Sequence, residues 1–108
     1  MNQISRHFSS VTLTAGSTAG TTTPRFAYGM FGGGVVIVAN TNGATQLRWY
    51  GASSAEATPV QVYADGSAVT TSVTVGAHPI PDACYGLSHV VPIVVGATTM
   101  PLTVALKG

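Results

Sequence analysis

His78, Asp82, Cys84 and His89 stand close together in the chain, and their types could do chemistry. A thiolate beside an imidazole is a nucleophile with its base, and two imidazoles, a thiolate and a carboxylate make a mononuclear metal set. Their context argues otherwise. His78-Pro79-Ile80-Pro81-Asp82 is expected to be an extended, irregular crossover loop, because two prolines remove backbone donors and restrict the residues before them. His78, Asp82 and His89 then read as solvated or satisfied turn residues. Cys84 is the single cysteine, which excludes an intrachain disulfide and a thiolate cluster within one chain, and it reads as a small buried apolar residue.

The other candidate chemistry is sparser. The carboxylates are Glu56, Asp65 and Asp82; Asp65 belongs to an Asp-Gly turn, and nothing in the spacing brings Glu56 to Asp82 as an acid/base pair. Gly32-Gly33-Gly34 is followed by no Lys-Ser/Thr and by no helical pattern, so it reads as a bend and not as a phosphate loop. Arg48-Trp49-Tyr50 is the one cluster suited to recognition, since aromatic faces and a guanidinium stack on sugars, bases or side chains. Strand alternation buries Trp49 with Leu47 and turns Arg48 and Tyr50 outward as a contact patch. The expectation is a protein with no catalytic residues, no cofactor and no metal.

Composition points the same way. Four basic and three acidic residues are all the charge in 108 residues, where a soluble domain ordinarily carries about a quarter. Hydroxyl side chains such as Thr21, Thr22 and Thr23 keep a surface wettable and can be buried against a neighbour without the cost of desolvating an ion. That suits a part of an assembly. The basic residues are scattered singly, so there is no phosphate-tracking stripe and nucleic acid is not an expected partner. The apolar runs Val35 to Ala39 and Val90 to Val95 are far shorter than the roughly 20 residues of a membrane helix. Met1 to Ser10 lacks the apolar stretch of a secretory signal, so synthesis in the cytoplasm is expected.

These residues need a scaffold, and the pattern predicts an all-β one. β-branched and polar residues alternate, and 13 glycines and six prolines punctuate at short intervals. Seven or eight short antiparallel strands over residues 26–108 describe a β-sandwich or a small barrel, and a sandwich of jelly-roll or immunoglobulin-like kind is expected because hairpins joined by a long crossover stitch two sheets together. Val35 to Ala39, read as buried on both faces, and Thr45 to Tyr50 make a first hairpin. Val60 to Ala64 and Val69 to Val75 make a second around Asp65-Gly66, a dipeptide that supplies the positive φ angles of a tight turn. Leu87 to Val95 and Pro101 to Lys107 make a third. Residues 1–25 are mostly Ser, Thr, Gly and Ala around Phe8, Val11 and Leu13. Such a segment buries little apolar area against the cost of ordering it, so it reads as an arm laid over a neighbour, or alternatively as a plain first strand over Ser9 to Thr14. As an arm it would make contacts through Arg6, Phe8, Val11, Leu13 and Arg25, in addition to Arg48 and Tyr50 on the body.

The stretch from Leu47 to Gly108, with Arg48-Trp49-Tyr50, Val62-Tyr63-Ala64-Asp65-Gly66, Pro79-Ile80-Pro81-Asp82 and the closing Leu102-Thr-Val-Ala-Leu-Lys-Gly108, resembles the small β-rich virion proteins of tailed bacteriophages, capsid decoration (cement) proteins above all. The resemblance implies a non-enzymatic protein on the outside of the head that clamps neighbouring major capsid subunits, commonly as a dimer or trimer. The implied partners are the major capsid protein and further copies of this chain, with no membrane. The same architecture would also serve a tail or fibre component, or a carbohydrate- or receptor-binding module that uses Tyr50 and Tyr63 as stacking platforms.

Overall fold

A computed structural model describes residues 8–29 and 31–107. The fold is nearly all β. Its strands are β1 (Phe8–Gly16), β2 (Phe26–Ala27), β3 (Gly33–Val38), β4 (Gln46–Ala52), β5 (Val60–Gln61), β6 (Tyr63–Ala64), β7 (Ser67–Ala68), β8 (Thr70–Ser72), β9 (Gly76–Pro79), β10 (His89–Val95) and β11 (Thr99–Lys107), with one 3-10 turn at Asp82–Cys84. Nine of them form one mixed sheet in the order β5-β4-β10-β1-β11-β3-β9, with β2 also on β10 and β8 also on β4; β6 and β7 make a separate hairpin.

The sheet curls because its two ends are tied together. β8 lies on the outer side of β4 and β9 on the outer side of β3, and only Val73, Thr74 and Val75 separate them in sequence. That link spans at most about 14 Å. The curl encloses one main core to which Val36, Leu47, Trp49, Val90, Val94, Met100, Leu102, Val104 and Leu106 all contribute. Trp49 is fully buried, and its indole Nε1–H donates to Thr71 Oγ1 at 2.9 Å, which satisfies the one polar atom it carries inward.

The hydrogen-bonding directions explain where the strands part. Trp49 N–H donates to the Val69 carbonyl and its own carbonyl accepts from Val62 N–H, so both of its backbone groups point away from β10. Trp49 and Pro92 therefore form a non-hydrogen-bonded pair, and the donor that proline lacks would face β1. β1 meets β10 in parallel at the single pair Gly16–Ile93. The next bond of that ladder would call on an N–H from residue 92, which does not exist. The pairing ends there, and β2 takes over beside Val90.

Several expectations are corrected. The fold is a curled sheet of mixed strands, with a parallel contact between β1 and β10 where purely antiparallel strands were expected. Residues 8–16 are not a free arm: β1 pairs with β11 over nine residues, Phe8–Lys107 to Gly16–Thr99, so the first-strand alternative is the arrangement found. Backbone pairing and the burial of Ala15 offset the ordering cost that its side chains alone would not. β3 and β4 are not a hairpin; the Asn40–Gly43 turn carries the chain from one wall of the curl to the other. The third hairpin is split by β1, which lies between β10 and β11. Val35 to Ala39 alternates, with Val36 and Val38 buried and Ile37 41% exposed, because only one of its faces is covered. His78-Pro79 is a strand edge on β3 and not irregular loop. The Asp65-Gly66 turn is as expected, with φ of 52° and 81°, but the hairpin around it is short: Ala64–Ser67 and Tyr63–Ala68 are its pairs, while β5 and β8 on either side pair with β4 and β8 ends at Ser72.

Candidate functional site

The residues that could do chemistry are dispersed. His78 sits on β9, where its Nε2 lies 2.7 Å from the Thr74 carbonyl, and His89 opens β10 with its Nδ1 3.2 Å from Ser88 Oγ. Asp82 is exposed at the start of the 3-10 turn, and Cys84 at its end is buried. Burial pushes the Cys84 thiol up to about 11, so at neutral pH it is neither a nucleophile nor a ready ligand. Tyr28, edge-on to Phe26 at 6.0 Å, is raised for the same reason, with Cys84 and Asp82 adding to the effect. Among the described residues, no group of three or more His, Cys, Asp and Glu is placed to hold a metal.

Arg25 has a structural task in place of the contact expected of it. Its guanidinium donates to five carbonyls: Thr23 through Nε, Ser54 and Ala57 through one terminal nitrogen, and Gly20 and Thr21 through the other. Five donors meet five acceptors. The loop between β1 and β2 is thereby stapled to the segment after β4, across the outer face of β4 and β10. Beneath it Ala52, Val91 and Ile93 form a second small core with Ala19, Tyr50 and Ala57. Val90 to Val94 are consequently buried on both faces of the sheet. Tyr50 is half-buried in this cluster and is not an outward platform, whereas Arg48 beside it is exposed as expected. No spacing in the sequence announces a staple that joins residues 29 to 32 positions apart.

The other half of the same face is bare. Register aligns Thr12, Thr103, Ile37 and Ala77 in one row across β1, β11, β3 and β9, and Ser10, Ala105, Val35 and Pro79 in the next. All eight are exposed or half-buried and none is charged. A surface of methyls, hydroxyls and one proline ring presents no ion to desolvate. Of the remaining contact residues expected from sequence, Val11 is 36% exposed and Leu13 packs partly against the core from the inner side of β1. Phe8 begins β1, and Arg6 lies outside the described residues. Tyr63, near the tip of the β6-β7 hairpin, and Tyr85 are the most exposed aromatics among the described residues.

The fold is a strongly curled mixed sheet whose outer face is covered over one half and bare over the other. No family model matches the chain, and no curated protein matches it in sequence. Its fold is shared with a solved structure, that of the SPBc2 prophage-derived protein YomS, at 14% identity and a TM-score of 0.67 over 100% of this chain and 99% of that one.

Proposed function

We propose that this chain is a non-enzymatic structural protein of a bacteriophage particle, bound as a decoration (cement) protein on the outside of the head. The observation that carries the reading is the uncharged bare face spanning β1, β11, β3 and β9. Support comes from the charge-poor composition and from a fold shared over its whole length with a protein of prophage origin. In this reading the bare face rests on major capsid subunits and the stapled face, with Arg48 at its margin, looks outward. The tail or fibre component is the alternative, because the same face would serve there equally well.

The test is placement and fractionation. Particles of the phage whose genome encodes this chain are separated into heads and tails, and the protein is quantified in each by mass spectrometry. Recovery with intact heads in fixed proportion to the major capsid protein, lost on Ile37→Lys at the centre of the bare face, is expected. Recovery with tails alone transfers the role to the tail, and absence from both refutes the virion reading.

A further inference from the structure

The bare face is bounded on one side by an unusual edge. Gly34 accepts from Ile80 N–H and so points its backbone at β9; in an antiparallel ladder its partner Leu106 must then bond toward β1, which makes Ser9–Leu106 a hydrogen-bonded pair. By alternation Ser9, Val11, Leu13 and Ala15 bond to β11, while the backbone groups of Phe8, Ser10, Thr12 and Thr14 point the other way. Gly16, on the same parity, does meet β10. Among the described residues, Gly16–Ile93 is the one pair on that side of β1, so the edge from residue 8 to residue 14 is open.

The margins at β9, β5 and β8 are protected. At β9 the outward-pointing residues are Ala77 and Pro79, and the proline has no donor; β5 and β8 are two and three residues long. The β1 edge has no proline, no charge and no bulge, and an extended backbone of a partner would pair with it along its length. We infer that this edge pairs antiparallel with the same edge of a second copy of the chain, about a two-fold axis at Val11.

The midpoint of the open segment is what selects the second copy. With Val11 opposite its symmetry mate, Ser10 meets Thr12 of the other copy, and the backbone of Phe8 meets Thr14. Every open residue then finds an open partner. The side chains at Ser10, Thr12 and Thr14 are hydroxyls on the outer face and bring no like charges together. On the inner face Val11, more exposed than any other inward residue of β1 and β11, gains an apolar partner in its own copy. The two bare faces also become one continuous surface on the same side of the joined sheet. The inference stands on edge geometry and does not depend on where the protein acts.

The experiment uses the purified full chain. Sedimentation is expected to give a dimer whose mass is insensitive to salt. Val11→Cys is expected to crosslink two copies on mild oxidation with diamide, because a non-hydrogen-bonded pair sets its Cα atoms about 4.5 Å apart, within disulfide reach. Thr14→Cys is expected to stay uncrosslinked, since the register separates the two copies of residue 14 by six positions, about 20 Å along the strand. Thr12→Pro removes a donor that the monomer does not use and should give a folded monomer; Thr12→Lys, which places two like charges near the axis, provides the same readout if the proline variant misfolds. Ile37→Lys should remain dimeric, which separates this result from the particle test. A wild-type chain that is monomeric up to its solubility limit, equal crosslinking at positions 11 and 14, or a folded Thr12→Pro or Thr12→Lys variant that remains dimeric would overturn the inference.

Discussion

Arg25 donates to the carbonyl of Ala57 at 2.7 Å, and through that contact the loop after β1 is held against the segment after β4. Arg25→Ala removes all five donors and uncovers the Ala52, Val91 and Ile93 cluster, at an expected cost of about 1–3 kcal/mol. Arg25→Lys should recover little of it, since an ammonium cannot reach carbonyls on both sides as a planar fork does. Chemical denaturation of the three proteins checks this; equal stability of the Arg and Lys forms would contradict the staple.

Adjacent glycines on β3 should respond in opposite ways. A Cβ on Gly34 would meet the Ala105 carbonyl oxygen and Leu106 Cδ2 at 2.5 and 2.9 Å, whereas one on Gly33 meets nothing within 4 Å. Gly34→Ala is therefore expected to destabilise by about 1–3 kcal/mol through overpacking, and Gly33→Ala to be near neutral or slightly stabilising. Thermal midpoints of the two variants decide it.

The pairing of Trp49 with Thr71 can be measured directly, because Trp49 is the single tryptophan and its fluorescence reports the core. Thr71→Val leaves the buried indole N–H without its acceptor, at an expected cost of about 1–3 kcal/mol. Trp49→Phe cannot use the hydroxyl, so the same Thr71→Val change made on that background, followed by circular dichroism, should cost clearly less. An equal cost on both backgrounds would show that the bond contributes nothing.

Alkaline pH should weaken the fold. In the unfolded chain the Cys84 thiol loses its proton near its ordinary 9.0, while in the folded protein burial holds it up to about 11. The stability this confers is complete below 9.0 and is lost as pH rises toward 11, and Tyr28, also raised by burial, acts in the same direction from its ordinary 10.0 upward. A denaturation midpoint that stays flat across this interval would contradict the burial of both groups; folded protein should also resist thiol reagents at neutral pH.

What the sequence disclosed followed from local chemistry. Asp65-Gly66 specified its turn because few residues tolerate positive φ, and Leu47 and Trp49 turned inward because alternation and bulk agreed. What it concealed was long-range. Ser9 to Thr14 has hydroxyls where a core strand has branched hydrocarbons, yet it is a strand, since it belongs to the nine backbone pairs that run from Phe8 to Gly16 along β11 and that no side chain announces. The insertion of β1 between β10 and β11 turned an evident hairpin into two separated strands. Tyr50, read as an outward contact, is taken up by a second cluster, and Arg25, read likewise, by the carbonyls of two distant loops. The bare face became visible only once register aligned Thr12, Thr103 and Ile37.

In the proposed role this uncharged face binds a phage head. The most direct measurement adds the purified protein to heads of the same phage lacking it and determines occupancy from low to high salt. Saturation at a fixed ratio to the major capsid protein is expected, with a shallow salt dependence because no charged side chain lies among the eight of the face, and with loss of binding on Ile37→Lys. Absence of saturable binding, or binding that Ile37→Lys leaves intact, would contradict it.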